Sequence, residues 1–296
     1  MSILYDIVHT TVYRYLEPVT FGEHRVMFRP RESHDLRVLA TDLEVSPEAI
    51  IRMIQDPHSN SVALVQPIVA ATELRIVCSF TIEHAQSHNL ELPLTPAAEF
   101  FPFAYSVEER FDLEHYMRPH YDDPKGELTA WARQFIRTDG PTGTREMLVQ
   151  MNQHIRDSFT YAERAEEGTQ TPLMTLSLET GSCRDFALLM MEAARRLGVA
   201  TRFVSGYLYD PALDATGPGG KAVTGAGATH AWLQAYLPGA GWVPFDPTNN
   251  LLGGNQLIRV GVARDPAQAA PVSGSWYGPA DAFVGLTATV QVRRQA

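Results

Sequence analysis

Thr180-Gly181-Ser182-Cys183-Arg184-Asp185-Phe186-Ala187, running on through Leu188-Leu189-Met190-Met191-Glu192-Ala193-Ala194-Arg195-Arg196-Leu197-Gly198, is the stretch from which the fold can be worked out. Phe186, Leu189, Met190, Ala193 and Leu197 recur at helical spacing, which predicts a helix with one face on a core. Ser182, with Asp185 three positions on, is a capping-box pattern at its start, and Gly198 supplies the stop. Cys183 therefore falls in the first turn, where unpaired backbone N–H groups and the helix dipole favour a thiolate. Arg184 adds a positive neighbour and Asp185 opposes it.

Downstream, His230-Ala231-Trp232-Leu233-Gln234-Ala235-Tyr236-Leu237 alternates as a strand does. The turn Pro238-Gly239-Ala240-Gly241 leads into Trp242-Val243-Pro244-Phe245-Asp246-Pro247-Thr248-Asn249. A first-turn cysteine, then a histidine, then an aspartate is the order of a cysteine nucleophile with its base and orienting carboxylate. The register carries a condition. If Leu237 pairs with Trp242 across a four-residue turn, Asp246 lands on the face opposite His230. A shared face needs an odd-length turn or a one-residue bulge, expected near Pro244, which cannot donate to a central ladder.

Taken together, Gly181-Ser182-Cys183-Arg184-Asp185-Phe186-Ala187, Arg202-Phe203-Val204-Ser205-Gly206-Tyr207, His230-Ala231-Trp232 and Trp242-Val243-Pro244-Phe245-Asp246-Pro247-Thr248 resemble the bacterial transglutaminase-like family of the papain-like cysteine protease and transglutaminase superfamily. The motifs cover roughly residues 140 to 250 and are specific as a set. The resemblance implies an α+β chain: an N-terminal antiparallel β-sandwich-like domain, then a papain-like core whose cysteine helix packs on an antiparallel sheet. It supports Cys183 as nucleophile, His230 as base and Asp246 as the group that holds the imidazole. The expected reaction is acyl transfer through a thioester, with hydrolysis of a peptide, isopeptide or other amide preferred. The alternatives are amine transfer from glutamine to lysine and a non-enzymatic module that kept the fold. The backbone N–H of Cys183 is the first candidate for holding the oxyanion. A second donor is not identified; Trp232 and Trp242 are candidates, more simply read as core aromatics.

The rest of the chain fills in around this core. Tyr5 to Tyr13, Leu36 to Val45, Ala49 to Ile54, Ser61 to Val65 and Thr72 to Glu83 read as strands separated by turns. Residues 86–125, rich in proline and scattered aromatics, read as an irregular connection, with a domain boundary near 118. This gives 1–118 as the β domain, 119–252 as the catalytic core and 253–296 as strands completing either the core sheet or the N-terminal one. Helices are expected over Glu127 to Arg137 and Thr144 to Phe159, and a loop from Tyr161 to Leu178. The Gly/Pro/Ala-rich run 211–229 is a plain loop or a flap beside His230.

Bulk properties bound the partners. The 296 residues carry a formal charge of −10, which argues against nucleic acid and anionic membrane as partners. The first residues have neither a basic nor an apolar signal region, and two cysteines make no disulfide framework, so a cytoplasmic protein is expected. Cys78 sits in a strand pattern and reads as structural. His84 with His88, and His115 with His120, lack a completing ligand set, so neither metal nor cofactor is expected. Asp122-Asp123 and Glu166-Glu167 read as solvated charge. A homo-oligomer is left open.

Overall fold

The computed structural model describes residues 2–85, 90–164, 168–213, 224–254 and 256–295. His88, Glu166-Glu167 and the 214–223 part of the glycine-rich run lie outside the described residues. The N-terminal strands are β1 (Ser2–Phe21), β2 (His24–Val26), β3 (Leu36–Ser46), β4 (Ala49–Gln55), β5 (Ser61–Pro67) and β6 (Ala71–Ala85). They form two antiparallel sheets, because alternate residues along β1, β5 and β6 are apolar and must be covered. Tyr5, Ile7, Val62, Val65, Leu74, Ile76 and Ile82 meet in the layer between them. Cys78 belongs to that layer and is 4% exposed.

The segment read as an irregular connection holds more order than expected. A two-residue strand, β7 (Phe100–Phe101), pairs with β8 (Thr142–Gly143), and between them run α1 (Val107–Met117) and α2 (Glu127–Arg133). The helix α1 escapes a periodicity reading because only Leu113 is buried, while Val107 and Phe111 are each 81% exposed. Its start is nevertheless written in a capping box: Glu109 N–H donates to Ser106 Oγ (3.1 Å) and Ser106 N–H to the Glu109 carboxylate (3.0 Å). The helix α2 stops short of Arg137. Next come α3 (Thr144–Ser158), β9 (Thr160–Tyr161), α4 (Pro172–Leu178) and β10 (Thr180–Gly181). The expected loop from 161 to 178 thus ends in a helix. Pro172, which looks like a breaker, occupies the first turn, where its missing N–H costs nothing, and the Thr171 hydroxyl accepts from Met174 N–H.

The cysteine helix α5 (Cys183–Arg196) is buried on nearly every side, from Asp185 through Arg195. One apolar face packs on a four-stranded antiparallel sheet ordered β13 (Gly241–Phe245), β12 (His230–Leu237), β11 (Thr201–Leu208), β14 (Leu257–Ala263). Its polar residues are buried too, because they hold the neighbouring backbone. Glu192 accepts the N–H groups of His120 and Tyr121, pairs with Arg195 at 2.8 Å, and Arg195 donates to the carbonyls of Tyr116, Thr201 and Arg264. Gly198, at φ 81°, ends the helix as expected.

The last strands divide their allegiance. The strand β14 extends the core sheet beside β11. Two short strands, β15 (Val272–Ser273) and β16 (Trp276–Tyr277), pair with β2 and β1. The long β17 (Phe283–Arg294) returns to pair with β1 from Tyr5 to Tyr15. Tyr207 ties the two regions together by donating its hydroxyl to Phe28 O (2.8 Å). Among the described residues, no helix is long and apolar enough to cross a membrane.

Candidate active site

Cys183 is the first residue of α5 and is partly exposed. The capping pattern works chiefly in one direction. Asp185 Oδ2 accepts both the N–H and the hydroxyl of Ser182, each at 2.8 Å, and Oδ1 accepts Gln170 N–H at 2.7 Å. Arg164 Nη1 donates to both oxygens, at 2.9 and 3.1 Å. Asp185 is therefore a fully buried, paired carboxylate that fastens residues 164–170 to the helix start, and its charge is met by Arg164 rather than turned against the sulfur.

His230 opens β12, opposite Gly206 on β11. A Cβ at Gly206 would collide with Ile258 O and the Trp232 ring, so only glycine lets β14 and Trp232 close in beside the histidine. Asp246 directly follows β13. The observed register pairs Leu237 with Gly241 and Leu233 with Phe245, leaving a three-residue turn, Pro238-Gly239-Ala240. The turn is odd in length, as a shared face requires, with Gly239 at φ 95° and Gly241 at φ 71°. No bulge forms at Pro244. The strand β13 is the edge of its sheet, so proline can turn the side without an N–H outward.

The consequence is contact. His230 Nε2 and Asp246 Oδ2 are 2.9 Å apart, both fully buried. Thr248 N–H (2.9 Å, to Oδ1) and Asn249 Nδ2 (3.0 Å, to Oδ2) complete the carboxylate's partners. Burial alone opposes charge on an imidazole, and His9, as buried as His230, shows the result with its pKa pushed down to about 3. At His230 burial also works downward, but the charge and hydrogen bond of Asp246, followed by Cys183, raise the pKa to about 10. For Asp246, burial works upward and is outweighed by His230, Asn249 and Thr248, which hold the carboxyl below its usual range. With Nε2 taken by the carboxylate, Nδ1 is the nitrogen left for the thiol.

Cys183 and His230 both line a cavity of about 410 Å³. Its lining includes Tyr161, Arg164, Tyr121 and Asp265, together with small residues such as Gly225, Ala226, Ala228 and Ala267. The described end of the glycine-rich run is pinned: Thr224 N–H donates to Asn249 Oδ1 (2.9 Å) and Val290 N–H to Gly227 O (2.9 Å). Neither tryptophan proposed as a second oxyanion donor is in the cavity wall. Trp232 is buried in a cluster with Val204, Leu208, Leu257 and Val262, and Trp242 packs against Tyr116 with the Arg202 guanidinium 4.1 Å from its ring. The sequence reading missed Asn249, whose place two residues past a proline in an Asp-Pro-Thr-Asn turn was the available signal, and Tyr161, hidden in a strand of two residues. Among the described residues, no group of three or more His, Cys, Asp or Glu could hold a metal ion.

Residues 129–247 match the model of the transglutaminase-like superfamily, and residues 5–83 match that of the bacterial transglutaminase-like N-terminal region. An uncharacterised protein of Mycobacterium leprae is 29% identical over 272 residues, covering 92% of each chain. An uncharacterised protein of Mycobacterium tuberculosis is 28% identical over 298 aligned positions, covering 92% of this chain and 87% of that one. Among solved structures, a candidate cysteine protease from Cytophaga hutchinsonii aligns with all of this chain and 91% of its own, with a TM-score of 0.69 at 18% identity. That last likeness is one of fold.

Proposed function

Because the chain belongs to the transglutaminase-like superfamily, we propose that it is a cysteine-dependent acyl-transfer enzyme in which Cys183, His230 and Asp246 act together, with water as the usual acceptor. The observation that carries this reading is a cavity lined by both the helix-start Cys183 and His230, the histidine bonded from behind to the buried Asp246. The thiol proton passes to His230 Nδ1, and Sγ attacks an amide carbonyl to form the C–S bond. The carbonyl π pair moves to oxygen, and the Cys183 N–H donates a hydrogen bond to the oxyanion. Collapse breaks the C–N bond as His230 returns its proton to the leaving amine. Water, deprotonated by the same imidazole, then splits the thioester to a free acid. Asp246 keeps the imidazole oriented and supports its positive form throughout.

Water is favoured as acceptor because the stretch of cavity lining that leads into His230, Gly225-Ala226 and Ala228, has little bulk to shield a thioester. Two free cysteines suit a reducing compartment, and the substrate class is a peptide or other amide. The test is incubation with a peptide and amide library, followed by reaction of an active substrate with excess lysine-like amine and weighing of the products. Free acid should dominate, and Cys183→Ala should yield neither product. A dominant amine adduct at modest amine concentration would replace hydrolysis by transfer.

A further inference from the structure

An oxyanion in a buried site is best held by two donors, and the helix start offers one of them. The remaining donor must lie in the cavity wall near Cys183, carry its own proton at working pH, and be uncommitted to other partners. Ser182 fails the last condition, since its hydroxyl is given to Asp185. Trp232 and Trp242 fail the first.

Tyr161 meets all three. Its strand β9 runs parallel to β10 with Tyr161 in register with Gly181, two residues before the cysteine. The pairing is fixed by Ala162 N–H donating to Gly181 O at 2.9 Å and Thr160 N–H to Glu179 O at 2.8 Å. The ring lines the cavity with Cys183 and His230. Its hydroxyl reaches across Gly225 towards the histidine: a Cβ built at that glycine would stand 3.7 Å from the Tyr161 hydroxyl and 3.2 Å from His230 Nδ1. Among the described residues, that hydroxyl has no hydrogen-bond partner. Burial, and then negative charge at Cys183, push its pKa up to about 12, so it stays protonated over the working range.

We propose that Tyr161 is a catalytic residue, its phenolic hydroxyl donating to the oxyanion formed when Cys183 attacks a carbonyl, opposite the Cys183 backbone N–H. This rests on the acyl-transfer reading above. It also accounts for a glycine at 225, since a side chain there would stand between the hydroxyl and the imidazole.

Two reactions at the same sulfur separate the roles. Acylation by p-nitrophenyl acetate passes through an oxyanion; alkylation by iodoacetamide displaces iodide at a saturated carbon and does not. In Tyr161→Phe, the first-turnover acylation rate should fall about 10²-fold, the usual effect of losing one such donor. The alkylation rate and its pH profile should stay within about twofold of the parent, which also reports that the site is folded. Unchanged acylation, or acylation and alkylation falling in parallel, would overturn the proposal; the parallel fall would show that Tyr161 acts on the sulfur. If the parent protein alkylates at Cys183 yet acylates no faster than Cys183→Ala, the acyl-transfer reading itself fails and this inference goes with it.

Discussion

Iodoacetamide at pH 7.5 should modify Cys183 at least about 10³-fold faster than Cys78, a ratio set largely by what the fold does to the second thiol. Cys78 lies in the middle of β6, paired with His9 on β1 and Leu43 on β3. Burial first, and then the charge of Asp42, push its pKa from 9.0 up to about 12. Alkylation proceeds through the thiolate, so this shift removes about three decades of reactive form relative to an unperturbed thiol. Access does not supply the difference alone, because a gap lined by Arg29, Asp42 and Met53 also reaches Cys78. Cys183 instead opens on the cavity it shares with His230, whose pKa Asp246 and then the cysteine itself raise. The assay is timed quenching, digestion and quantification of the two cysteine peptides, with Cys183→Ala supplying the Cys78 rate in isolation. That isolated rate should climb about tenfold per pH unit up to pH 10, as a thiol far from its midpoint does. Comparable rates at the two cysteines, or a flat pH dependence at Cys78, would refute the reasoning.

Three further outcomes are expected. Replacing Asp246→Asn should cut turnover by about 10²- to 10⁴-fold, since the main influence opposing burial at His230 is then gone; turnover within twofold of the parent would remove Asp246 from the mechanism. In a Cys183→Ala background, where sulfur does not titrate, stability should fall between pH 7 and 9. Asp246 still holds the folded imidazole's pKa above that of the unfolded one, near 6.5, so the contribution is complete below 6.5 and is lost at up to about 1.4 kcal/mol per pH unit above it. Adding Asp246→Asn should flatten that slope, and a slope that persists would locate its cause elsewhere. Finally, Asp185→Asn should cost about 3 kcal/mol in urea unfolding, because it removes the carboxylate charge facing Arg164 and loosens the helix start; a loss under about 1 kcal/mol would make the pair incidental.

The candidate site was legible where chemistry and periodicity coincide. A capped helix start and an alternating strand are local signals, so Cys183 and His230 could be placed on their elements from sequence. That Asp246 must share a face with His230 followed from the chemistry of a triad, and parity showed that an even turn would prevent it, but which device restores the shared face did not follow. The choice between a short turn and a bulge at Pro244 depends on whether β13 is central or at an edge, a property of the assembled sheet. The same limit hid the polar face of α5. Glu192 and Arg195 lie outside the apolar stripe of the helix, yet they are buried because segments distant in sequence present N–H and C=O groups to them. The helix α1 was missed for the opposite reason: it is too exposed to print an apolar stripe, and only its cap announces it. Tyr161 had no signal of its own, since a two-residue strand exists only through its partner.

The return of β17 has a consequence for the protein's biosynthesis. A chain emerging from the ribosome delivers the cysteine, the histidine and the aspartate by residue 246, well before residues 283–294 follow. Until they do, β1 lacks one of its two long neighbours, and Gly227 O, three residues before the histidine, lacks the Val290 N–H that holds it. The loop that leads into His230 is thus finished by a segment made some sixty residues after it. The thiol, the imidazole and the carboxylate can all be present on a nascent chain before the strand that fixes this loop exists, and the topology defers the loop's completion until β17 has been made.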